Sequence, residues 1–183
     1  MPARSLISAS IPLTEPIDHR SLMLLGTAPH AFADPAWTWE VKFHGYRMLA
    51  FREGKRARLL SRNGRDSGLS FPEVLQALMP LPMDCVPDCE LTVPDEYGRP
   101  DWHALAPRTA MRNPNRINSA AISRPARLYA FDLVALDGRG LHGVKLGDRH
   151  VALQELVVSA PGIKLSEQWD EGPHPMNPNR HRR

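Results

Sequence analysis

The stretch Glu40-Val41-Lys42-Phe43-His44-Gly45-Tyr46-Arg47 offers the parts that a phosphate site needs. Lys42 supplies an amine at the end of a strand, Gly45 allows close backbone approach, and Arg47 brings a guanidinium whose planar fork matches phosphate oxygens. An amine can hold phosphate as a cation or, once deprotonated, attack phosphorus. A lysine side chain free in water has a pKa of about 10.4, so nucleophilic use requires desolvation or neighbouring cations; a lowering by three units corresponds to about 4 kcal/mol. The same residue types also suit a charged surface hairpin in which Glu40 and Arg47 pair across strands. Three further segments carry polar groups in telling places: Ser61-Arg62-Asn63-Gly64-Arg65 reads as a basic turn, Glu90 interrupts an apolar run, and Phe131 sits in another.

The elements that must position these groups alternate strand and helix. Residues 1–36 mix Pro, Ser and short apolar pieces and read as an irregular lead-in, with Met23-Leu24-Leu25 as its anchor. From Trp37 the pattern predicts an antiparallel meander of strands at 39–43, 46–51 and 58–61, separated by His44-Gly45 and Glu53-Gly54-Lys55 turns. Ser70-Phe71-Pro72-Glu73 has the spacing of a capping box, and Phe71, Val74, Leu75 and Leu78 follow at helical spacing until Pro80 and Pro82. Cys85 to Val93 reads as a strand, Asp95-Glu96-Tyr97-Gly98 as a turn, and Asp101 as the cap of a short helix carrying Trp102 and Leu105. Residues 107–127, with five arginines and no clear period, read as a long basic loop. A strongly apolar strand is predicted from Arg127 to Leu136, closed by Asp137-Gly138, and a helix from Asp148 to Ser159 with Val151, Leu156 and Val157 among its apolar positions. The fold class is therefore α+β, antiparallel sheets flanked by short helices. Residues 37–165 form the expected domain and 166–183 a disordered basic tail, whose other reading is a phosphate-contacting arm.

Composition narrows the class. Of 183 residues, 42% are hydrophobic and 23% charged, which describes a soluble globular chain rather than a fibre or a disordered polymer. No apolar run approaches the roughly 20 residues that a span needs, so no membrane partner is expected and a cytoplasmic location is the default. The net charge of +3 is compatible with a polyanionic partner. Cys85 and Cys89 on one strand would stand roughly 13 Å apart, beyond the reach of about 7 Å that a disulfide allows, and read as buried thiols. Without a CxxC pair or a histidine cluster, zinc has no support.

Taken in order, four segments resemble the ATP-dependent DNA ligases, especially the bacterial end-joining type, over residues 20 to 165. Lys42, Gly45 and Arg47 match Lys-x-Asp-Gly-x-Arg, and residues 61–65 match Ser-Arg-x-Gly-Arg. Asp88-Cys89-Glu90, followed by Gly98-Arg99-Pro100-Asp101-Trp102, corresponds to Asp-Gly-Glu and Gly-x-Pro-x-aromatic, while Tyr129-Ala130-Phe131-Asp132-Leu133 and Leu136-Asp137-Gly138 supply the fourth segment.

The resemblance implies an incomplete ATP-grasp-like adenylation domain in which Lys42 attacks the α-phosphorus of ATP and holds AMP, to be passed to the 5′-phosphate of nicked or broken double-stranded DNA. It implies Glu40 at the adenine edge, Arg47 and Arg62 on sugar or phosphate, Glu90 on the ribose or on Mg2+ (or Mn2+), and Phe131 stacked on adenine. Two letters depart from the family pattern: His44 replaces an aspartate and Cys89 a glycine. The family's Glu-Gly-x-x-x-Lys and Lys-x-Lys segments and its OB-type barrel have no counterpart in these residues; Glu171-Gly172 lacks the following lysine. The expectation is a nucleotidyltransferase completed by another chain, against the alternatives of a degenerate remnant that binds ATP or nucleic acid at most, or a capping enzyme or RNA ligase of the same superfamily.

Overall fold

We analysed a computed structural model of the chain, which describes residues 6, 10–13, 15–23, 34 and 37–169. Two compact units emerge: a larger one from residues 1–22 and 43–165, and a smaller one from residues 23–42 and 166–183.

The larger unit is built on a mixed sheet. Its strands are β1 (Ile11–Pro12), β3 (Tyr46–Glu53), β4 (Arg56–Ser61), β5 (Cys85–Thr92), β6 (Arg127–Leu136), β7 (Arg139–Gly140) and β8 (Ile163–Leu165), in the order β1-β7-β6-β5-β3-β4 with β8 alongside β6. All pairings are antiparallel except β6 with β8. Helices α1 (Pro72–Leu78), α2 (Trp102–Thr109), α3 (Pro114–Ser123) and α4 (Leu146–Val157) accompany it. One face carries Met48, Ala50, Leu59, Cys89, Leu91, Leu128 and Ala130, fully or almost fully buried with Val74, Leu78, Leu105, Leu153 and Leu156 from the helices. The alternation of strand side chains sends the next residues to the opposite face. There Leu49, Phe51, Leu60, Val86 and Val134 pack with Leu22 and Ile17 of the N-terminal segment. That second face is therefore apolar at one end and, past Leu49, polar at the other.

Turn chemistry accounts for the hairpins. Asp137 and Gly138 both adopt positive φ, 48° and 71°, the two-residue geometry that matches strand twist and connects β6 to β7. Asp101 caps α2 by accepting from the Ala104 amide at 3.1 Å, as its sequence position predicts. Cys85 and Cys89 are free and buried, and burial pushes the Cys85 thiol up to about 12.

Four expectations are corrected. The capping box does not form: Ser70 ends a 3-10 turn, Phe71 occupies the N-cap position without a side-chain bond, and Pro72 starts the helix. Glu73 accepts instead from Arg108 Nη1 at 2.7 Å and from the Ala126 amide at 2.9 Å. A buried guanidinium left without a counter-charge would cost more than the ~1 kcal/mol that a cap contributes, so the carboxylate goes to Arg108. The basic loop over 107–127 is helical for most of its length, with α2 reaching Thr109 and α3 running from Pro114. Asn113 caps α3 from the Asn115 and Arg116 amides and Pro114 holds the first helical position, an N-terminal signal outweighed in the sequence by the lack of a period. The meander has no strand over 39–43; β2 covers Trp39–Glu40 and pairs in the smaller unit with β9 (Gln168–Trp169). Consequently residues 166–169 do not open the tail, Ser166 being buried and β9 paired, whereas residues 170–183 lie outside the described residues, as do Leu24 and Leu25. Of the apolar positions on α4, Leu156 and Val157 are buried and Val151 is exposed. Among the described residues no helix is long and apolar enough to cross a membrane.

Candidate active site

Adjacent strands bring Arg47, Glu90 and Phe131 to the polar end of one sheet face. Arg47 on β3 is the register partner of Glu90 on β5, which faces Tyr129 on β6, which faces Lys164 on β8. Four side chains thus form a row across four strands, with neighbouring backbones about 4.8 Å apart. Lys164 was not singled out from the sequence, although its place between buried Ile163 and core-packed Leu165 marks it as facing away from the core.

Phe131 reaches this face through a break in register. Cys89 is opposite Ala130 and Asp88 opposite Asp132, so Phe131 is the extra residue of a β-bulge. Its ring, half-buried, lies under the Arg47 guanidinium, 5.4 Å from carbon Cζ to ring centroid, a contact worth about 0.5–2 kcal/mol according to its desolvation. Helix α4 is tied to the bulge by Arg149, whose Nε and Nη2 donate to the two oxygens of Asp132 at 2.7 and 2.9 Å. Beside it Phe43 stacks on Tyr129 with centroids 4.1 Å apart.

Arg47 is oriented by a carboxylate whose role the sequence did not reveal. Arg47 Nε donates to Asp88 Oδ1 at 3.1 Å and Nη2 to Oδ2 at 2.8 Å. Asp88 is fully buried, and desolvation raises its pKa above the usual carboxylate value while the Arg47 hydrogen bonds oppose the rise. For Arg47, burial acts to lower the pKa, but the Asp88 hydrogen bonds and the charges of Asp88, Glu90 and Asp132 outweigh it and the value is raised. A charge interrupting an apolar strand was the available signal, and Asp88 carries it as clearly as Glu90 does.

Gly45 is needed where it stands. A Cβ there would fall on the Leu91 carbonyl oxygen and come within 3.1 Å of Glu90 Cγ, so the segment before β3 could not lie against β5 with any side chain at this position. Arg62 is exposed, one step beyond the β3–β4 pairing that ends at Ser61 and Met48. Glu40 and Lys42 belong to the smaller unit, where Gln168 Nε2 donates to Glu40 Oε1 and Lys42 is exposed. Among the described residues no group of three or more His, Cys, Asp or Glu side chains could hold a metal ion. A hard cation such as Mg2+ would have to take most of its ligands from phosphate oxygens and water, the usual manner of Mg2+ at nucleotide sites, with Glu90 as a protein oxygen donor.

Residues 25–172 match the family model described as ATP dependent DNA ligase domain. The chain belongs to the ATP-dependent DNA ligase family. It is 40% identical over 125 residues to DNA ligase C1 of Mycolicibacterium smegmatis, a match covering 66% of this chain and 36% of the relative. DNA ligase C of Mycobacterium tuberculosis is 34% identical over 127 residues, 69% of this chain and 35% of that protein. This ligase-family chain therefore spans about a third of the length of these curated relatives. Its fold is similar to the ligase domain of M. tuberculosis LigD, with a TM-score of 0.58 and 27% identity over 72% of this chain and 40% of that one. It is similar also to a mycobacterial DNA ligase D complexed with ATP and MES, with a TM-score of 0.57 and 26% identity over 74% of this chain and 40% of the other. The end-joining ligase kinship read from the four segments is borne out, as is the α+β class.

Proposed function

We propose that the chain performs the adenylate-transfer chemistry of a DNA ligase acting in the cytoplasm on nicked or broken duplexes. The observation that carries this reading is the gathering of Arg47, Glu90 and Phe131, from three separate family segments, on one sheet face. Lys42 Nζ, having lost a proton, attacks the α-phosphorus of ATP; the nitrogen–phosphorus bond forms as the bond to the pyrophosphate oxygen breaks. AMP then passes to a DNA 5′-phosphate and Lys42 is regenerated. Phe131 offers its flat ring to adenine, Glu40 accepts from the adenine edge, Arg47 and Arg62 hold sugar and phosphate, and Glu90 takes ribose hydroxyls or Mg2+ (or Mn2+). Little covalent work falls to the other side chains, whose contribution is alignment and charge neutralisation.

His44 stands where the family has an aspartate next to the attacking lysine, so the local charge balance differs and turnover is slower than in the relatives. The experiment is to incubate the chain with magnesium or manganese and α-labelled ATP, denature it, and follow label on protein. Label that disappears in Lys42→Ala supports the reading. Absence of label across pH and metals sinks it, leaving binding without catalysis.

A further inference from the structure

Arg65, in the turn after β4, and Arg112, between α2 and α3, are not among the residues proposed for the nucleotide. Arg65 Nη2 donates to the Thr109 carbonyl at 3.5 Å and Arg112 Nη1 donates to the same oxygen at 3.2 Å. Two guanidinia from separate elements, the turn after β4 and the α2–α3 connection, are thereby held side by side, and both residues are exposed. Of the carboxylates nearby in the chain, Glu73 is paired with Arg108 and Asp101 with Arg124, while Asp66 accepts from the Gly68 amide and forms an ion pair with neither arginine. Neither Arg65 nor Arg112 forms an ion pair among the described residues. Arg112 also directly precedes the N-terminus of the ten-residue helix α3, whose dipole adds positive potential rather than relieving it.

We propose that Arg65 and Arg112, gathered on the Thr109 carbonyl, form a seat for the phosphate backbone of duplex DNA, with the exposed Arg116 extending it along α3. Like charges held this close lower their free energy when a polyanion supplies the missing counter-charge, and a guanidinium fork suits phosphate oxygens. The exposed Asn115 and Asn118 beside them are side chains of the type that contact phosphate and sugar, so the seat positions a duplex without reading its bases. The proposal rests on DNA being the substrate and is independent of the Lys42 adduct.

The test is a salt series of binding affinity for a labelled nicked duplex, using the full chain, the pair Arg65→Gln/Arg112→Gln, and a charge-matched control, Lys55→Gln/Arg56→Gln, on the exposed β3–β4 hairpin. Each phosphate contact contributes about 0.9 to the slope of log affinity against log salt, so the pair should flatten the slope by about 1.8 while the control keeps it. Unchanged melting temperatures show that both variants fold. Equal slopes in wild type and pair, or an equal loss in the control, overturn the seat alone. Displacement of the duplex by equimolar ATP overturns it too, by showing that free nucleotide is the ligand. A wild-type chain that binds no duplex overturns both the seat and the DNA substrate, whereas label on Lys42 tests the adenylation reading separately.

Discussion

Replacing Arg47 by methionine would remove the counter-charge of Asp88 while keeping most of the aliphatic bulk. The Asp88 side chain is 0% exposed and the Arg47 side chain 20%, so the carboxylate cannot recover solvation by a small movement. Breaking such a pair costs about 3–5 kcal/mol, and the partial exposure of Arg47 places the expected loss at the low end, about 3 kcal/mol. With a urea dependence of roughly 1–3 kcal/mol per molar, the unfolding midpoint falls by roughly 1–3 M. The loss should depend on pH in a definite direction. Asp88 already has its folded pKa raised from an ordinary 3.8, and losing Arg47 raises it further. The folded state then binds the proton more tightly than the unfolded state, so stability falls as pH rises through the window between the two values and is flat above it. The deficit of Arg47→Met is therefore largest near neutral pH and shrinks as the medium is made acidic. Arg47→Met/Asp88→Leu, which removes both charges, should return to within about 1 kcal/mol of wild type or exceed it. Urea unfolding of the three proteins at about pH 5 and about pH 8 decides the matter. A single variant within about 1 kcal/mol of wild type at both pH values would refute the reasoning, because the pair would then behave as a solvated surface contact.

Three other substitutions probe the scaffold. Gly45→Ala should lose about 1–3 kcal/mol in urea unfolding and label on Lys42 with it, since the methyl group meets the Leu91 carbonyl; wild-type behaviour would mean that the segment has room to shift. Glu73→Ala strands the buried Arg108 and the Ala126 amide and should cost about 3–5 kcal/mol, whereas Glu73→Gln, which keeps an acceptor, should cost less; equal losses would show that the charge, which both variants remove, matters there and the acceptor does not. His150 has its pKa lowered from 6.5, chiefly by burial, so the unfolded chain takes up the proton first and stability drops as pH falls below about 6.5. Melting temperatures from about pH 8 to about pH 5 should show that drop in wild type and a shallower one in His150→Gln; identical profiles would remove His150 as the cause.

The candidate site residues were singled out by the resemblance of four segments to a family, taken in order, more than by any local pattern. Of their residue types only the carboxylate of Glu90 stands out by itself, because it interrupts an apolar strand, and β5 and β6 were readable from their apolar runs. Helix α1 was legible in extent but not in its cap, because the fate of Glu73 is decided by Arg108, a residue that reaches it only in the folded chain. The same holds for Asp88: its letter announces a buried charge, but that Arg47 lies diagonally across the sheet and not opposite it follows from register. Phe131 turns toward Arg47 because β6 holds one residue more than β5 at that point, and an extra residue is invisible until two strands are laid side by side. The pairing of Trp39–Glu40 with Gln168–Trp169 joins segments from opposite ends of the domain, and no local pattern names a partner so distant. Sequence by itself determined the chemical repertoire and the longer elements of the sheet, α1, α2 and α4, since propensity, capping and alternation act within a few residues. Tertiary structure alone decided which charges compensate one another, because desolvation penalises an unpaired ion wherever the chain happens to bury it.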